Sequence, residues 1–164
     1  MGDRRTSSTD RRLSHRGGRR LDDYNGRPLV LVVDDHVDSR DLLAAVLREI
    51  GVSLAEAGCG KDALARLRVP PMPRLVLLDL SLPDCHGTEI VRALKSDTRT
   101  THIPVIALSA NAIPRDIERG LHAGFFRYLT KPIKVAEFMD TLDVALKLAH
   151  TRTARVIREP KHAD

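Results

Sequence analysis

Two uninterrupted apolar runs, Leu29-Val30-Leu31-Val32-Val33 and Leu75-Val76-Leu77-Leu78, constrain the fold of this chain more than any other feature. A strand with one wet face alternates apolar and polar residues, so unbroken runs of this kind belong to strands covered on both sides. Strands of that type lie in parallel sheets, and parallel neighbours are joined by crossover helices that supply the cover. Helical spacing is present where it is needed. Leu43, Val46, Leu47 and Ile50 recur at the 3.6-residue period before Gly51 stops the pattern. A weaker strand over 52–57 and a short helix around Ala63, Leu64 and Leu67 follow, ended by Pro70, Pro71 and Pro73.

After the second run, Ile90, Val91 and Leu94 mark a third helix, 103–108 a fourth strand, and Ile113, Ile117 and Leu121 a fourth helix closed near Gly124. A strand over 126–129 precedes a last helix with Val135, Phe138, Met139, Leu142 and Leu146 on one face. Five strands alternating with five helices predict a three-layer α/β sandwich, a flavodoxin-like (βα)5 fold with parallel sheet order 2-1-3-4-5. In that order the first and third strands are neighbours at the topological switch point, and ligands bind at the carboxyl ends of the strands there.

The domain fills residues 28–150, with a basic arm over 1–27 and a frayed tail over 151–164 as the expected flanks. The arm holds eight Arg against four Asp and almost no apolar side chains, so it is expected to be disordered. The overall charge of +5 resides in these flanks, because residues 28–150 carry 15 basic and 16 acidic groups. With no Trp, two Tyr and three Phe, the chain lacks the aromatic platforms of single-stranded nucleic-acid binders. Cys59 and Cys85 form no CxxC pair, and no apolar leader opens the sequence, so a reducing cytoplasm is the expected compartment. No apolar stretch approaches the roughly 20 residues of a membrane helix.

The predicted strand ends carry the chemistry. The first ends in Asp34-Asp35, the third in Asp79, the fourth in Ser109, and one residue after the fifth stand Lys131-Pro132. Singly, each has an ordinary explanation as a helix cap, a turn residue or an exposed charge. Together, three carboxylates at one sheet edge repel one another unless a cation joins them. Hard carboxylate oxygens favour Mg2+ over zinc, and His36 and His86 lack the paired spacing of a zinc site.

The stretches PLVLVVDD ending at Asp35, PRLVLLDLSLPDCHG around Asp79, IPVIALSANA around Ser109 and RYLTKPI around Lys131 resemble the receiver domains of bacterial two-component response regulators. The single-domain chemotaxis regulator and the receivers of hybrid sensor kinases belong to that family. The resemblance covers residues 28–150. It implies that Asp79 accepts a phosphoryl group from a phosphohistidine of a histidine kinase or phosphotransfer protein. It also implies that Asp35 binds Mg2+ directly, Asp34 through water, and Ser81 through its backbone carbonyl. Lys131 and Ser109 are implied partners of the phosphoryl oxygens, and Tyr128 resembles the aromatic residue that turns when Ser109 moves. A protein of this kind is a signalling switch and not an enzyme acting on a separate substrate. Its downstream target would be met at the face of the fourth helix, fifth strand and fifth helix, by a partner protein or a homodimer. His86 and Cys85 depart from the usual residues of their loop, and Ser81 and Asn111 stand at positions that vary in the family.

Three rivals fit less well. A haloacid-dehalogenase-like phosphatase needs a second Asp where Ser81 stands, and Gly58-Cys59-Gly60 lacks the third glycine and the position of a dinucleotide-binding loop. A nucleic-acid role through Arg4, Arg5, Arg11, Arg12, Arg16, Arg19 and Arg20 is disfavoured, because no reading element accompanies the arm.

Overall fold

The structure is a computed structural model that describes residues 26–111 and 113–158, with side chains of the last helix described through 152. The arm predicted over 1–27 therefore lies almost wholly outside the described residues. Along the chain run β1 (Leu29–Val33), α1 (Val37–Glu49), β2 (Ser53–Ala57), α2 (Gly60–Arg66) and β3 (Leu75–Asp79). They are followed by α3 (Gly87–Ser96), β4 (Val105–Ser109), α4 (Pro114–Ala123), β5 (Arg127–Thr130) and α5 (Val135–Arg158). All four strand pairs are parallel, in the order β2-β1-β3-β4-β5. The expected flavodoxin-like sandwich is the observed one.

Every residue of β1, β3 and β4 is buried, as unbroken apolar runs require. The two sheet faces are separate cores. Val30, Val32, Leu75, Leu77, Ile106 and Leu108 point to the side covered by α1 and α5, where Leu43, Leu47, Phe138 and Leu142 meet them. Leu31, Val33, Val76, Leu78, Val105 and Ala107 face Ala63 and Leu67 of the α2 segment and Ile90, Val91 and Leu94 of α3. Keeping one such Leu or Ile from water contributes about 1.5–3 kcal/mol, so the central three strands anchor the domain.

Three details depart from the sequence reading. The last helix continues to Arg158, where a frayed tail was expected from 151. No proline interrupts it before Pro160, and Arg152 donates to the His102 carbonyl at 3.4 Å, which ties the extra turn to the sheet end. The second helix starts three residues earlier than its apolar pattern, because the Cys59 sulfur accepts from the Asp62 N–H and caps it at Gly60. The fourth helix is real, but Ile113 before it and Leu121 within it are exposed, so the stripe that marked it does not enter the core. Among the described residues no helix is long and apolar enough to cross a membrane.

Candidate phosphoryl-acceptor site

Register brings the acidic residues together. Val33 of β1 pairs with Leu78 of β3, so the next residues, Asp34 and Asp79, leave the sheet side by side. Asp34 is fully buried and Asp79 is 4% exposed. Carboxylates at that depth need partners, and each has them. Asp34 Oδ1 accepts from the His36 N–H at 2.9 Å, and Asp79 Oδ1 accepts from the Ser81 N–H at 3.0 Å. These bonds fix the two loops that leave the strands.

Lys131 closes the site from the far side. Ser109 pairs with Thr130 at the ends of β4 and β5, and the Lys131 N–H donates to the Ser109 carbonyl at 2.7 Å. The following Lys131-Pro132 bond is cis. From that anchor the ammonium Nζ reaches Asp79 Oδ2 at 2.9 Å and Asp34 Oδ2 at 3.1 Å. Burial pulls the Lys131 pKa down, but hydrogen bonds and charge from Asp79 and Asp34 outweigh it and hold the group above its ordinary value. The ammonium is therefore fully charged at neutral pH.

Asp35 is the most accessible of the three carboxylates, its side chain 31% exposed. Oxygens of Asp34, Asp35 and Asp79, with a ring nitrogen of His36, lie within 4.8 Å of one another. The three carboxylates outnumber the one ammonium bonded to them, and hard oxygen donors of this kind fit a divalent cation such as Mg2+. The His36 ring was set aside in the sequence because it has no paired ligand. The sequence could not show that a helix-capping position would turn its Nδ1 to 3.0 Å from Asp35 Oδ1.

Ser109, buried at the end of β4, spends its hydroxyl locally: it accepts from the Asn111 N–H at 3.1 Å and donates to the Asn111 carbonyl at 3.2 Å. It stands beside Asp79 across the β3–β4 pair but makes no bond to it. Half-buried Tyr128 in β5 packs on Gly120 of α4, where an added Cβ would come within 3.3 Å of the ring. Between α3 and α4 opens a groove of about 740 Å3 whose walls include Ser81, Ser109, Asn111 and Tyr128. The space therefore adjoins the acidic cluster on the side where Ser109 and Tyr128 stand.

One contact had no signal in the sequence. Asp84, in the loop after β3, accepts from the N–H groups of Gly60 and Lys61 at 2.8 and 2.9 Å. These bonds hold its carboxyl below the usual range and pin the loop after β3 to the start of α2. Ser81 and His86 close the same loop through an antiparallel bridge.

This geometry sets a buried carboxylate, flanked by acidic and lysine side chains, at the switch point of a doubly wound α/β domain. The chain belongs to the response regulator receiver domain family, which it matches over residues 30–143, and is a receiver of two-component signalling. It is 34% identical over 113 residues to the polar-differentiation response regulator DivK of Brucella ovis, covering 69% of this chain and 91% of DivK. It is 34% identical over 137 residues to the DNA-binding dual master transcriptional regulator RpaA of a Synechocystis strain, covering 84% of this chain and 55% of RpaA. A crystal structure of a response regulator from Chloroflexus aurantiacus superposes with a TM-score of 0.70 at 26% identity, covering 74% of this chain and 98% of that one. Receiver domains interact with histidine kinases or phosphotransfer proteins and bind Mg2+ at an acidic pocket.

Proposed function

We propose that Asp79 accepts the phosphoryl group of a phosphohistidine on a histidine kinase or phosphotransfer protein, and that this charge change operates a switch on the opposite side of the site. The observation that supports this best is the placement of Lys131 Nζ at 2.9 Å from Asp79 and 3.1 Å from Asp34 at the buried strand ends. A carboxylate is a poor nucleophile toward an anionic phosphoryl group, so the protein must neutralise charge and hold the reactants in line. Asp35 and Asp34, with Asp79 and the Ser81 carbonyl, are the groups that would hold Mg2+. When bound, that ion supplies neutralisation of the phosphoryl oxygens. As the Asp79 oxygen bonds to phosphorus, the phosphorus–nitrogen bond of the donor breaks and its electron pair stays on the imidazole. Lys131 releases Asp79 and pairs with a phosphoryl oxygen, and the Ser109 hydroxyl exchanges its Asn111 carbonyl for another.

Once Ser109 moves inward, the groove beside it offers Tyr128 room to follow. The face of α4, β5 and α5 is the surface that reads this change. It carries exposed Leu121 and Val144, apolar groups suited to a partner protein or a second copy. The chain works as a cytoplasmic switch whose only chemistry is gaining and losing the phosphoryl group. Incubation with acetyl phosphate and Mg2+, followed by intact mass, tests the proposal. Wild type should gain one phosphoryl mass and Asp79→Asn should not. An unmodified wild type, or equal modification of both, would falsify it.

A further inference from the structure

Histidine occupies the N-cap position of two helices here, and the two rings are used differently. His86 at the start of α3 accepts the Thr88 N–H on Nδ1 at 3.2 Å, the ordinary service of a cap residue. His36 at the start of α1 makes no side-chain cap bond. Its Nδ1 is turned the other way, 3.0 Å from Asp35 Oδ1 and 3.5 Å from Asp34 Oδ1. The ring is 71% exposed, so core packing does not explain the orientation. Its backbone is also fixed to the cluster, since the His36 N–H donates to Asp34. An imidazole nitrogen thus stands within ligand spacing of three carboxylates, a mixed donor set in place of an all-oxygen one.

We infer that His36 biases the acidic site of this receiver toward first-row transition cations such as Mn2+ and Zn2+, relative to Mg2+, by offering Nδ1 as a ligand. The inference rests on the proposed cation site at Asp34, Asp35 and Asp79. Mg2+ prefers oxygen donors and retains water, so an imidazole adds little to its binding. Affinity for nitrogen-containing sites rises along the first transition row, and imidazole suits its later members. Removing the nitrogen therefore weakens transition-metal binding while leaving Mg2+ binding nearly unchanged. The choice among cations becomes a property of one exposed side chain beside the shared carboxylates.

The test is Mn2+ binding to the full chain, followed by electron paramagnetic resonance, in wild type, His36→Asn and Asp35→Asn. Asn is a favoured cap residue, so His36→Asn keeps the start of α1. Bound Mn2+ should show nitrogen hyperfine coupling in wild type and none in His36→Asn. Displacing Mn2+ from wild type should also need about tenfold more Mg2+ than displacing it from His36→Asn. Tight Mn2+ binding with no nitrogen coupling, and equal displacement in both, overturns the inference and leaves the carboxylate site standing. Absence of Mn2+ binding, or undiminished binding by Asp35→Asn, overturns the carboxylate site and the inference with it.

Discussion

Asp84 shows how a residue outside the acidic cluster can hold the loop beside it. Its carboxylate takes two backbone N–H groups from the start of α2 while its own loop leaves β3 with Asp79 at the end. An anion accepts such bonds more strongly than an amide does, which is why the carboxyl titrates below its usual value of 3.8. A group whose pKa is lowered on folding contributes stability that is present above its unfolded value and lost as pH falls through the folded one. Asp84→Asn should therefore unfold at lower urea than wild type at neutral pH. The gap should close as pH drops below 3.8, and a gap independent of pH would show that the charge is not what matters. Asp34, Asp35, Asp79 and Lys131 were legible in the sequence because each sits at or just after a strand end, where topology alone places it. Asp84 and His36 were not, because their partners come from loop and cap geometry. Gly60 is 24 residues from Asp84, and no spacing rule links them.

Among the elements, β1, β3 and β4 were plain in the sequence because burial on both faces keeps polar residues to the last position of β3 and β4. The edge strands were fainter. β2 mixes Ser53 and Glu56 with buried Leu54, and β5 has only Leu129 fully buried of four residues. Helix starts were harder still, since the Cys59 cap of α2 uses an unusual acceptor. The start of α3 carries a different constraint. A Cβ on Gly87 would stand 3.0 Å from Leu80 Cα and 3.1 Å from the Asp79 carbonyl oxygen, both backbone atoms that cannot swing away. The glycine lets α3 begin directly against the end of β3, where its N–H donates to the Leu80 carbonyl at 3.0 Å. Gly87→Ala should cost about 1–3 kcal/mol through overpacking, measured by urea unfolding. Because the displaced atoms belong to residues 79 and 80, the variant should also take up phosphoryl groups from acetyl phosphate more slowly. An alanine variant as stable and as fast as wild type would show that the loop yields freely.

At the scale of the molecule, two packed cores hold the sheet, and the site is where the fold concentrates opposing charge. Asp34 and Asp79 are buried with Asp35 close by, and Lys131 offsets one of the three charges. Repulsion among like charges opposes folding, so removing a carboxylate and adding a cation should act in the same direction. In chelator, Asp35→Asn should melt above wild type, because it deletes one like charge and leaves the buried pair with Lys131 intact. Adding Mg2+ should then raise the wild type by RT ln(1 + [Mg2+]/Kd), about 2.7 kcal/mol at one hundred times Kd, since the unfolded chain gathers no such site. The variant should respond far less, so the order of the two proteins should reverse as Mg2+ is titrated. Thermal melting at constant ionic strength separates this from general screening, which also weakens the repulsion between the carboxylates. Replacing Mg2+ by Na+ at equal ionic strength should move both proteins by similar small amounts and leave their order unchanged. A reversal produced equally by Na+ would assign the effect to screening. No reversal with either salt would mean that the clustered carboxylates do not both strain the fold and gather a cation.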